Sequence, residues 1–261
     1  MNDHARPMSR RPLTHDVLRN RTQSDLTPHE RDVLEGAVTE TRVLPPGNIA
    51  VRQGHEVDFS TLLVEGLMTR HVDSIDGRRH LVGIHFPGDF VDLHAYALKK
   101  LDHDVGALTE VTVAIVPHRA LERIQVEFAH LTRRLWFLTM LDAALHRQWV
   151  FRLASLNAIE RVAHFLCEVN ARMLAIGASD GRRFALPMTQ VDIGEVCSLT
   201  NVHVNRVLRE LREQGICSVR TSNVEIHDLP RLAGIGQFRP DYLYLNDSTA
   251  RLASGESASP A

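Results

Sequence analysis

The chain has 261 residues, 44% of them hydrophobic and 24% charged, with a formal net charge of -2; this length suits two domains, each with its own core. No apolar run approaches the roughly 18 residues of a membrane span, and the arginine-bearing N-terminus lacks the apolar stretch of a secretory signal, so a soluble, cytoplasmic protein is expected. Near-neutral charge excludes a protein that coats nucleic acid through a broad basic surface, and three widely spaced cysteines, Cys167, Cys197 and Cys217, exclude a disulfide framework or a four-cysteine metal site, leaving buried free thiols.

Residues 1–24 read as a disordered arm. Residues 25–126 read as an antiparallel, jelly-roll-like β-roll: short apolar stretches are punctuated at Pro45-Pro46-Gly47, Gly54, Gly66, Gly77 and Pro87-Gly88, the turn spacing of a sandwich or barrel. Asp76-Gly77, between MTRHVDSI and RRHLVGIHF, is hairpin chemistry, because the tight turn needs positive φ.

After Pro117 apolar residues recur at helical spacing. Residues 127–156 are expected to form a dimerisation helix and hinge, with Leu131, Leu135, Leu138, Leu145 and Trp149 as a seam stepping by fours and threes. Asp142 interrupts that stripe, and packing of the helix on its own β-domain is the competing reading. A second helix from about Asn157 to Ile176 follows. The small, polar tail, 241–261, is expected to be mostly disordered.

The most informative stretch lies in 157–240, a winged helix-turn-helix. Thr189 with Asp192 caps a short helix, and Thr200 caps a second one after a three- to four-residue turn. On the second helix Val204, Val207, Leu208 and Leu211 share one sector, and Val202, Asn205, Arg206, Arg209 and Glu213 the other. Gly215 is a left-handed stop that folds Ile216 back on Leu211, and ICSVR and VEIH, joined by Thr221-Ser222-Asn223, form the wing. Such a helix fits the DNA major groove with its N-terminal residues nearest the bases. The candidate DNA-contacting set is Thr189, Thr200, Asn201, Val202, His203, Asn205, Arg206 and Arg209. By side-chain chemistry Arg206 suits guanine, Val202 a thymine methyl, and Thr200, His203 and Arg209 phosphates.

The string SLTNVHVNRVLRELREQGI closely resembles the recognition helix of the Crp/Fnr superfamily of bacterial regulators, and the likeness extends in order over about residues 25–240. The resemblance implies an α+β fold of cyclic-nucleotide-binding-like β-roll, long dimerisation helix and winged helix-turn-helix. It also implies a homodimer on double-stranded DNA, RNA polymerase as a further partner, and base contacts at Asn201, Val202 and Arg206. Ser198 departs from the glycine common in such turns and implies backbone strain; Gly194 replaces the usual alanine of the first helix.

Nucleotide-binding relatives clamp the cyclic phosphate with an arginine-serine pair. Here that position reads His103-Asp104-Val105, and an aspartate repels phosphate, so cyclic AMP and cyclic GMP are not expected. Asp92, His94, His103 and Asp104 are the candidate effector-pocket residues. The iron-sulfur chemistry of oxygen-sensing relatives needs an N-terminal cysteine group, and no cysteine precedes Cys167. Fifteen histidines leave haem open, but none has diagnostic spacing, so no metal site is assigned. No catalytic constellation is legible. The alternative to a DNA-binding regulator is a ligand sensor acting through a protein partner.

Overall fold

The computed structural model describes residues 11–77 and 79–255. Helix α1 (Pro28–Gly36) opens with a capping box in which Thr27 and Glu30 satisfy each other's backbone N–H groups. Strands β1 (Glu40–Leu44), β2 (Ile49–Val51), β3 (Phe59–Glu65), β4 (Met68–Asp73) and β5 (Arg79–His85) precede a short helix α2 (Ala95–Leu98), and β6 (Asp104–Ala107) and β7 (Val111–Pro117) complete the β-roll. The sheets run β1-β7-β3 and β2-β6-β4-β5, all antiparallel. Leu63, Met68, Val105 and Val113 lie in their shared core. The hairpin read from Asp76-Gly77 forms: β4 pairs with β5 from Met68↔His85 to Asp73↔Arg79, and Gly77 takes φ 77°.

Helix α3 (His118–Glu127) leads into α4 (Ala129–Ser155), 27 residues long. Asn157 then caps α5 (Ala158–Ile176). Beyond it come β8 (Arg183–Ala185), α6 (Gln190–Cys197), α7 (Asn201–Glu213), β9 (Cys217–Arg220), β10 (Asn223–Ile226), α8 (Leu229–Ile235), a 3₁₀ turn (Pro240–Leu243) and α9 (Asp247–Ser254). The wing is a three-stranded sheet, β8-β10-β9; β8, three residues long, carries too little pattern to be read from sequence. All three cysteines are free and buried, and burial raises the Cys197 and Cys217 thiols to about 11 and about 12.

Three expectations are corrected. The arm is ordered from residue 11: Val17 and Leu18 join the core shared by α1, α3 and α4, so apolar burial offsets the entropy of ordering them. Residues 1–10 and 256–261 lie outside the described residues. The tail is not mostly disordered, because Asn246 caps α9, and Leu243, Leu245 and Ala253 are buried.

The third correction concerns α4. Leu131 and Leu135 are buried in the chain's own β-domain core, with Leu138 packed against it; Leu145 and Trp149 pack against a core that joins Leu81, Ile84 and Phe86 of the β-roll to α5 and the helix-turn-helix. The expected seam therefore faces its own chain. Asp142 belongs on that face because it accepts two hydrogen bonds from the buried Arg70, at 2.7 and 2.9 Å. The stripe open to solvent lies five residues further on: Trp136, Met140, Arg147 and Val150 are exposed.

Candidate nucleic-acid interface

Local chemistry builds the helix-turn-helix. The Thr189 N–H donates to Asp192 Oδ2 (2.7 Å) and the Thr189 hydroxyl accepts from the Asp192 N–H (3.1 Å), closing the box that starts α6. The helix stops at Ser198, whose φ of 53° is the left-handed conformation that a serine adopts only under compulsion. The Leu199 N–H then returns to the Gly194 carbonyl at 2.8 Å. A Cβ on residue 194 would meet Leu199 O at 2.6 Å, so glycine is what lets the turn fold so tightly onto α6. The sequence shows Gly194 as a departure, but only the turn's closeness explains it.

Thr200 caps α7, accepting from the His203 N–H. Val204, Val207, Leu208 and Leu211 are buried, as the wheel requires. The eight candidate contacts, Thr189, Thr200, Asn201, Val202, His203, Asn205, Arg206 and Arg209, are all exposed, Val202 at 78%. A valine this exposed gains nothing from its own fold.

Asn205 Nδ2 donates to Asn201 Oδ1 (3.1 Å) and to the Asn201 carbonyl (3.2 Å), fixing the two amides relative to each other. No acidic residue lies in the first turn of α7, so the positive end of its dipole is uncompensated and suited to a phosphate. Gly215 takes φ 68°, and the Ile216 N–H reaches the Leu211 carbonyl at 2.9 Å. Arg220 is exposed at the start of the wing turn, where Thr221 and Ser222 both have positive φ; the sequence marked the turn but not this arginine.

The effector candidates do not converge on one cavity. Asp92 is fully buried, its Oδ1 taking the Thr61 N–H at 2.5 Å, and burial raises its carboxyl to about 6. Asp104 accepts the Gln53 N–H at 2.6 Å and lies 3.5 Å from His71 Nε2. The rings of His94 and His103 are 5.4 Å apart, and burial lowers His94 to about 4. His94 also lines a mainly apolar cavity of ≈ 400 Å³ with Tyr96, Leu121, Leu135 and Trp136.

A cyclic nucleotide does not fit the residues present in the β-roll interior. Arg70, its buried cation, is already bound to Asp142 and to the Val91 carbonyl.

A β-roll joined by one long helix to a winged helix-turn-helix with an open polar face defines the class: a transcription regulator in which a sensor-type domain carries a DNA-binding domain. Residues 41–127 match the family model of the cyclic nucleotide-binding domain, and residues 160–235 that of the Crp-like helix-turn-helix domain. The transcriptional activator protein Anr of Pseudomonas aeruginosa is 26% identical over 210 residues, 80% of this chain and 86% of that protein. The transcriptional activator protein FnrL of Cereibacter sphaeroides is 28% identical over 192 residues, 71% and 76% of the two chains. The solved structure of FixK2 from Bradyrhizobium japonicum superposes with a TM-score of 0.69 at 26% identity, covering 76% of this chain and 97% of that one.

The chain belongs to the Crp/Fnr superfamily of DNA-binding transcription regulators. Members of this family bind DNA and act as dimers, typically with RNA polymerase. Among the described residues no helix is long and apolar enough to cross a membrane.

Proposed function

We propose that this chain is a cytoplasmic homodimer that reads a pseudo-palindromic operator through paired α7 helices and acts there with RNA polymerase. The observation that carries the reading is the exposed set Val202, Asn205, Arg206 and Arg209 on a capped helix whose other side is wholly buried. In this reading residues 25–126 are the sensor, 127–156 the dimerisation helix and hinge, and 157–240 the DNA-binding domain. Residues 11–24 and 241–255 pack against these units. Asn201, Val202 and Arg206 meet base edges; Thr200, His203, Arg209 and, from the wing, Arg220 meet phosphates. Thr189, committed to its capping box, holds α6 in place against the backbone.

The dimer forms through the outward stripe of α4. Trp136, Met140, Ala143, Arg147, Val150 and Ala154 step by four and three, the spacing that keeps one stripe against a partner helix. Trp136 and Val150 are each 66% exposed, a liability that a second copy of the chain removes. A two-fold dimer then presents two half-sites about 34 Å apart.

Selection from random duplexes is expected to return such a pseudo-palindrome. Arg206→Ala is expected to cost ~1–3 kcal/mol at one base position in each half-site and relax preference there, whereas Arg209→Ala weakens all sequences alike. Absence of any selected site, or equal sequence-blind losses from both variants, would overturn the reading.

A further inference from the structure

Residues 11–22 and 237–254 lie outside the segments matched by the two family models, which begin at residue 41 and end at residue 235. In the structure they meet. The Asn246 N–H donates to the Asn20 carbonyl at 2.9 Å and the Thr22 N–H to the Tyr244 carbonyl at 2.8 Å, closing an antiparallel bridge between Arg21 and Leu245. The buried Arg21 guanidinium donates to the Leu243 carbonyl.

The joined ends span both domains. On the β-roll side Glu35 of α1 accepts from the N–H groups of Leu13 and Thr14, at 3.0 and 2.9 Å. The Asp16 backbone presses on the β-roll turn so closely that a Cβ on Gly88 would meet its carbonyl at 2.5 Å. On the DNA-binding side Asn20 Nδ2 donates to the Ala175 carbonyl at 2.8 Å and Arg19 donates to the Ile176 carbonyl. Those carbonyls belong to the last turn of α5, where intrahelical partners run out. Tyr244 sets its ring 5.7 Å from that of Phe137 on α4.

Leu18 and Asn20 both have positive φ, 60° and 54°. Non-glycine residues hold that conformation when surrounding contacts over-determine it. These contacts do so from three sides: β-roll, α4 and α5.

We propose that residues 11–22 and 237–254 form a clasp that fastens the DNA-binding domain to the β-roll in a DNA-competent orientation. The clasp takes hold at the C-terminal end of α5 and leaves the recognition residues of α7 and the Met140 and Val150 stripe of α4 exposed. The orientation is thus braced by contacts that the chain makes with itself. The DNA arm of this inference rests on the reading above; the domain-fastening arm does not.

The test uses the full chain carrying Arg19→Gln and Asn20→Gly. Glycine keeps the left-handed backbone at residue 20, so the variant loses side-chain contacts rather than the turn. Hydrogen exchange is read in peptides covering 172–178 and 240–254, with α7 as the internal reference, and duplex affinity is measured on the same preparation. Exchange in both peptides is expected to speed up at least about tenfold while α7 is unchanged. Lowering the competent fraction to about a tenth raises the apparent Kd about tenfold with base preference unaltered.

Unchanged exchange overturns the clasp, and faster exchange with unchanged affinity overturns its role in holding the competent orientation. Arg21→Ala is a second variant, with the same outcomes expected. A wild-type chain that binds no duplex would sink the regulator reading, while the exchange measurement would still decide whether the ends fasten the two domains.

Discussion

Single charged residues explain the sites where pattern reading fails. Asp142 breaks the apolar stripe of α4 because Arg70 lies beneath it, 2% exposed and 2.7 Å away; a lone buried guanidinium would be untenable, so the two positions stand or fall together. Asp92 is the reverse case. One carboxylate oxygen takes the Thr61 N–H, but the other, also buried, has no hydrogen-bond partner among the described residues, and burial raises the group from the ordinary 3.8 to about 6.

A raised carboxyl favours the folded state in its protonated form. Its contribution to stability is therefore complete below the ordinary value and is lost as pH rises through about 6. Asp92→Asn keeps the acceptor for Thr61 and removes the charge. It is expected to stabilise the protein by ~1–3 kcal/mol at neutral pH, with the gain fading on acidification toward pH ~4. Thermal melts of both proteins across that range check this, and a gain that grows on acidification would count against it.

At the scale of elements, caps and periods were legible and facing was not. The Thr189–Asp192 box, the Thr200 cap and the Gly215 stop locate α6 and α7 to within a residue or two, since each signal and its partner are at most a few positions apart. On α4 the 4-3 spacing correctly marks a helix but runs along two stripes, one through Leu131 and Leu135 and one through Trp136 and Met140. A five-residue offset turns a helix by about 140°, so the stripes lie on nearly opposite sides, and period alone cannot say which meets the core.

Variants separate the two faces. Leu135→Ala is expected to cost about 2–5 kcal/mol of stability and leave association unchanged. Met140→Glu and Val150→Glu are expected to weaken self-association at least about tenfold, or about 1.4 kcal/mol, with little effect on melting. Sedimentation equilibrium beside thermal melts distinguishes these outcomes; monomers from Leu135→Ala alone would reverse the assignment of faces.

Across the whole molecule, buried charges join the two domains. Arg172 of α5 reaches Asp89 in the β-roll and donates to the Ile84 carbonyl at 3.1 Å. Burial by itself would raise Asp89, yet Arg172 and the His85 side chain beside it hold its carboxyl well below the usual range. At the hairpin, Arg79 of β5 pairs with Glu195 of α6 at 2.9 Å, tying the β-roll to the helix-turn-helix.

Breaking a buried pair costs more than the pair is worth, because the surviving charge is stranded. Arg172→Met is expected to destabilise by ~3–5 kcal/mol, and adding Asp89→Leu to recover most of it. Denaturant unfolding of the four proteins of this cycle measures the coupling. A double variant no better than the single one would show that Asp89 is not what Arg172 neutralises.

The amino-acid order by itself determined the architecture: a glycine-punctuated β-roll, a long helix, and a capped, winged helix-turn-helix with its buried and exposed faces assigned. Those features are written in signals a few residues long, where backbone geometry is the only physics needed. Tertiary structure alone decided which stripe of α4 turns inward, that residues 11–22 and 237–254 fold onto each other, and which buried charges pair. Each of these depends on groups distant in sequence, such as Arg70 with Asp142, Asn20 with Asn246 and Asp89 with Arg172, whose burial becomes favourable only once both partners are brought to the same place.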